Sequence, residues 1–111
     1  MPQKQRPLEP GDFRRRMHAR IEVASRETKW RVAPDCMLAM KRQLDLGLEQ
    51  KAAPGTEVEL DEAALYRADD SIQRLIEEMG RQALDRGEQS LTAETLRRAL
   101  SGLCPGLWPF C

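Results

Sequence analysis

The sequence predicts an all-α domain, and three observations carry that expectation. Hydrophobic residues make up 41% of the chain but aromatics only 5%. Any core must therefore come from Leu, Ala, Ile and Met, which suit helices better than sheets. Apolar residues recur at helical spacing from Leu65 to Ala83 without a break. Proline and glycine then punctuate the chain between such runs, at Pro54-Gly55, Gly87 and Pro105-Gly106. With 111 residues there is room for one small domain and a tail.

Residues 1–12 contain Pro2, Pro7, Pro10 and Gly11 and no apolar period, so they read as disordered. The basic run from Phe13 to Arg20 reads as an arm that becomes helical on contact with a partner. Residues 1–32 are taken together as a basic N-terminal tail. Pro34 and Asp35 then start a helix whose stripe is Met37, Met40, Leu44 and Leu48. Thr56 to Leu60 is a short extended link. Asp61 or Glu62 opens a long helix with Leu65, Ala68, Ile72, Leu75, Ile76, Met79 and Ala83 on one face. Gly80 inside that helix costs up to about 1 kcal/mol relative to Ala, which points to close packing there. Gly87 is placed as a left-handed cap. Glu88 to Leu91 is a second extended link, and Thr92 is the N-cap of a last helix with Leu96, Ala99, Leu100 and Leu103 on its buried side. The domain is bounded at 33–106, leaving 107–111 as a short C-terminal tail.

The long helix spans about 39 Å at roughly 1.5 Å per residue. Two short helices cannot cover such a stripe, so a second chain is expected to lie across it. Leu65, Ile72, Leu75, Ile76, Met79, Leu96 and Leu100 are the expected dimer interface.

Eighteen Lys and Arg balance eighteen Asp and Glu. The balance conceals an asymmetry: residues 1–32 carry nine bases against four acids, and residues 33–111 are correspondingly acidic. No apolar run reaches the roughly 18–20 residues needed to cross a bilayer, and no apolar stretch near Met1 suggests a secretory signal. The single histidine, His18, and three cysteines, Cys36, Cys104 and Cys111, offer neither a metal cluster nor a disulfide framework. Free thiols are expected at Cys104 and Cys111. The glycines form no phosphate-cradling loop. No cofactor, no small-molecule substrate and no enzymatic activity are expected.

The order of elements resembles the histone fold: short helix, long central helix, short helix, in a dimer. The run Asp70 to Ala83, D-S-I-Q-R-L-I-E-E-M-G-R-Q-A, is similar to the long helix of the core histones, most like the H-two-B class. Asp70, Arg74, Glu78, Arg81 and Ala83 match in register. Leu91-Thr92 then meets that family's Ile-Thr, and Gly102 to Gly106 its Leu-Leu-Leu-Pro-Gly. The resemblance covers residues 37–106 and implies a heterodimer with an A-type histone or another histone-fold protein. It also implies duplex DNA held by backbone contacts without sequence reading, in a nucleus or, for a viral histone, a virion. The DNA contacts it implies, with the arginine triplet, are Arg14, Arg15, Arg16, Lys41, Arg42, Arg86, Ser90 and Thr92. Glu88 stands where that family has arginine, and the further C-terminal helix is missing. These departures favour an alternative, a histone-fold scaffold for protein–protein contacts with little DNA binding. A shorter likeness, Ala83 to Gly87 followed by Leu91-Thr92, resembles the small C-terminal domain of light-independent protochlorophyllide reductase.

Overall fold

A computed structural model describes residues 8–51, 60–103 and 108–110. It consists of four helices and one two-stranded bridge: α1 (Pro10–Glu27), β1 (Arg31–Val32), α2 (Pro34–Lys51), α3 (Glu62–Arg86), β2 (Ser90–Leu91) and α4 (Ala93–Ser101). The protein is predominantly helical, as its composition predicts. The link over 56–59 and the stops at Pro54-Gly55 and Pro105-Gly106 lie outside the described residues, as do Cys104 and Cys111.

The caps fall where the sequence places them. Asp61 accepts a hydrogen bond from the Ala64 amide at 2.8 Å, satisfying one donor that the first turn of α3 leaves unpaired. Gly87 ends α3 with φ +69°, a backbone conformation that favours glycine. Thr92 caps α4, and the Thr95 hydroxyl accepts in return from the Thr92 amide at 3.1 Å. Leu103 lies past the end of α4 and is 47% exposed, so it does not extend the buried stripe.

The N-terminal arm is the main correction. Residues 10–27 form a regular helix, with Pro10 in its first turn, Asp12 beside the positive N-terminal dipole and Arg26 in its last turn. Phe13, Met17, Ile21 and Ala24 recur every three or four residues along it, and all four are buried. Removing the supposed tail would therefore remove part of the core. The second correction follows from the first. Leu65, Ile72, Leu75, Ile76, Met79, Leu96 and Leu100 are all buried within one chain, none more than 9% exposed. The stripe on α3 is covered intramolecularly, and the argument that required a second chain no longer applies.

The short C-terminal tail is packed as well. Trp108 is buried, its indole N–H 3.5 Å from the Ser71 carbonyl. Ser71 Oγ donates to the Pro109 carbonyl at 3.1 Å, and Phe110 stacks on Phe13 with ring centres 5.7 Å apart.

The chain thus folds as two helix–strand–helix units, α1-β1-α2 and α3-β2-α4. Their strands pair in parallel, Arg31 opposite Ser90 and Val32 opposite Leu91. The shift that lays Arg31 on Ser90 also lays Phe13, Met17, Ala24, Cys36 and Met40 on Ile72, Ile76, Ala83, Thr95 and Ala99. Every one of these ten is buried. α1 packs on α2 and α3, and α4 does the same, so the helices form a ring in the order α1, α2, α4, α3.

The units differ where Ile21 of the first corresponds to Gly80 of the second. A Cβ at Gly80 would lie 2.4 Å from three ring atoms of Trp30, so the indole rests against bare backbone. Gly80→Ala should therefore lower the unfolding free energy by about 1–3 kcal/mol, the usual cost of overpacking. Gly11→Ala is its control, because nothing lies within 4 Å of a Cβ there. Chemical denaturation of both variants checks this; equal stability of the two would contradict the Trp30 packing.

Candidate interaction surface

The expected phosphate contacts are scattered over the fold, and half of them are engaged by acids of the same chain. Arg14 of α1 donates twice to Asp45 of α2, at 2.8 and 3.2 Å. Arg15 is paired with Asp12. Arg16 reaches Glu62 of α3 at 3.2 Å, and Lys41 of α2 reaches back to Glu22 of α1 at 2.6 Å. Arg42 and Arg86 are exposed and make no ion pair among the described residues. Thr92 is occupied as a helix cap. Glu88 accepts from Arg98 at 2.7 Å, so the acid found where arginine was expected is itself part of a pair.

The parallel bridge sets exposed Arg31 directly opposite Ser90, which follows Arg86 by one turn and a short link. Sequence reasoning missed Arg31 because a two-residue strand leaves no periodic signal.

The contact between α1 and α2 is electrostatic at its rim. His18 Nε2 donates to Asp45 Oδ1 at 2.8 Å, alongside Arg14. Burial alone would push the Asp45 carboxyl up, but hydrogen bonds from Arg14 and His18 and their charge outweigh it, holding its pKa below the ordinary 3.8. The hydrogen bond from Lys41, then its charge, likewise lowers Glu22.

Cys36 is the cysteine among the described residues. It is fully buried, with its thiol 3.8 Å from the Met79 sulfur. Burial, reinforced by the charge of Asp35, pushes that thiol up to about 12. Among the described residues no three His, Cys, Asp or Glu side chains gather as metal ligands. No described helix is long and apolar enough to cross a membrane.

Clefts remain on opposite sides of the helical ring. Between α2 and α4, Ala39, Gln43, Ala93, Leu96, Arg97, Leu100 and Ser101 line a groove of about 320 Å³. Leu46 is 49% exposed and stands three residues beyond Gln43, so it prolongs the same helix face. Between α1 and α3, a second cleft lies beside Trp30, and a separate hollow is lined by Arg16, Arg20 and Tyr66. None was legible in the sequence, since each is assembled from both units. Comparison with known proteins finds no match: no family model, no curated protein and no solved structure.

The depressed carboxylates fix the sign of an acid response. A group whose folded-state pKa is lowered contributes stability above its unfolded value and loses it as pH falls through the folded one. Stability should hold down to about pH 4 and fall below it as Asp45 and Glu22 protonate. Asp45→Asn should lower stability at neutral pH and flatten part of that acid limb. Denaturant melts across the acid range test this, and an unchanged limb would show that the Arg14–Asp45–His18 contact carries no stability.

Proposed function

We propose that this protein is a partner-binding helical module that takes an apolar helix of another protein into the groove between α2 and α4. This corresponds to the scaffold alternative rather than to DNA packaging. The observation that carries it is the composition of that groove. Ala39 and Ala93 are small, Leu96 and Leu100 form an aliphatic floor, and Leu46 remains half-exposed at the margin. Small side chains on facing helices leave a furrow that the ridge of a third helix can fill. Helix-in-groove recognition uses such furrows, reading residues spaced at three, four and seven.

The state of the basic residues supports the same choice. Non-specific DNA binding depends on bases free to replace counterions on phosphate. Here Arg14, Arg15, Arg16 and Lys41 already face carboxylates of the same chain. A histone-like subunit pairing with an A-type partner on duplex DNA stays as the second reading. The bridge favours it, because it sets exposed Arg31 opposite Ser90, one of the expected contacts.

Site-specific photo-crosslinkers test the first reading. Placed at Gln43 and Leu46 in the source cells, they should capture one common partner, identified through a peptide with apolar residues at helical spacing. The same group at Asp85 should not. Equal capture from all three positions would overturn the assignment of the groove. The second reading is tested by DNA mobility shifts at varied salt. It requires a log–log slope of about −0.9 per phosphate neutralised, reduced in an Arg31→Glu, Arg86→Glu variant. The partner-binding reading expects little retardation at physiological salt and no difference between the variant and the parent.

A further inference from the structure

On the face opposite that groove, α1 and α3 flank an open cleft of about 550 Å³ beside Trp30. Ala24 and Ile76 supply apolar wall, while Glu27, Glu77, Gln73 and Lys29 supply the polar lining. This volume lies inside the range of about 300–1,000 Å³ used by ligand sites.

Three features of the lining agree in sign. Glu27 and Glu77 are exposed, come from different helices, and make no ion pair among the described residues. Trp30 offers an indole whose position is fixed by the bare backbone of Gly80. A ring surface of this kind attracts cations through its quadrupole. Finally, a cation is already there: the Lys29 ammonium lies 4.7 Å from the Trp30 ring centre. It is the chain's own side chain, tethered one residue away, and it reports which charge the indole accepts.

We propose that this cleft binds a cationic side chain, an arginine or lysine presented by a partner polypeptide, between Glu27 and Glu77 and against Trp30. Lys29 is its internal competitor. A guanidinium suits the lining best. Its planar face stacks on the indole while its edge N–H groups donate to the two carboxylates and to the Gln73 carbonyl oxygen. The site lies apart from the α2/α4 groove, so it stands or falls separately from the partner helix assigned there.

The full-length chain, labelled with ¹⁵N, is titrated with the tripeptide acetyl-Gly-Arg-Gly-amide and, as control, acetyl-Gly-Asp-Gly-amide. The arginine peptide should shift the Trp30 indole N–H and the Gln73 side-chain amide saturably. Half-saturation is expected at about 1 mM, and the aspartate peptide should leave both signals in place. Lys29→Ala should tighten the arginine peptide about two- to fivefold, the weight of an exposed cation–π contact. Glu27→Gln with Glu77→Gln should weaken it by about tenfold or more. Both positions are exposed, so the fold should tolerate the pair; each single variant repeats the test if it does not. Equal shifts with both peptides, no saturable shift, or unchanged affinity in the glutamine variants would overturn the proposal.

Discussion

The structure depends on covering one apolar stripe. α3 carries Leu65, Ala68, Ile72, Leu75, Ile76, Met79 and Ala83 along a single face, and water must be excluded from all of it. At about 1.5–3 kcal/mol for each large aliphatic side chain, leaving that stripe open would exceed the net stability of most small domains. α4 covers one flank but is only nine residues long. α1 supplies the rest with Phe13, Met17, Ile21 and Ala24, and Phe110 closes the end by stacking on Phe13. The arginine-rich helix is thus first a structural element.

Its charge follows from that role. A helix laid between α2 and α3 brings its flanking arginines up to the carboxylates of both neighbours. Arg14 meets Asp45, Arg16 meets Glu62, and Glu22 meets Lys41 from the other side. Exposed pairs of this kind contribute only about 0–1 kcal/mol each, so they do not drive folding. They do change the field around the molecule. Arg14 and Arg16 are each neutralised at short range by a carboxylate of a neighbouring helix, and the steering toward a polyanion that these two would give weakens accordingly.

Local chemistry in the sequence was legible and remote chemistry was not. Asp61, Gly87 and Thr92 could be placed as caps because a cap is decided within four residues. The spacing of Phe13, Met17, Ile21 and Ala24 was present too. It was obscured by Arg14 to Arg16 and by the prolines before them, which together imitate a disordered basic tail. A run of charge says nothing about whether matching acids lie across a helix interface. The bridge between β1 and β2 was invisible as a pair for another reason: two residues are too few to show alternation, and the partners are far apart in the chain. Trp108 and Phe110 were read as tail because a short segment after a helix stop has no period at all.

The two-unit plan explains why the molecule has two open sides of unlike character. A single helix–strand–helix unit is too small to bury a core. Two of them, paired through their strands, enclose one, with equivalent residues such as Met17 and Ile76 or Met40 and Ala99 all buried in it. The sides between α1 and α3 and between α2 and α4 then each join equivalent helices from the two units. Exact repetition would make the packing within each side symmetric. Replacement of Ile21 by Gly80 at the equivalent position breaks that symmetry on the α1/α3 side. The indole of Trp30 moves onto the α3 backbone, and a cleft edged by Glu27 and Glu77 opens beside it. On the α2/α4 side the facing residues are Ala39, Ala93, Leu96 and Leu100, with no acid among those lining the groove. One glycine in a helix interior, unfavourable by propensity alone, thus separates a polar, cation-seeking face from an apolar one.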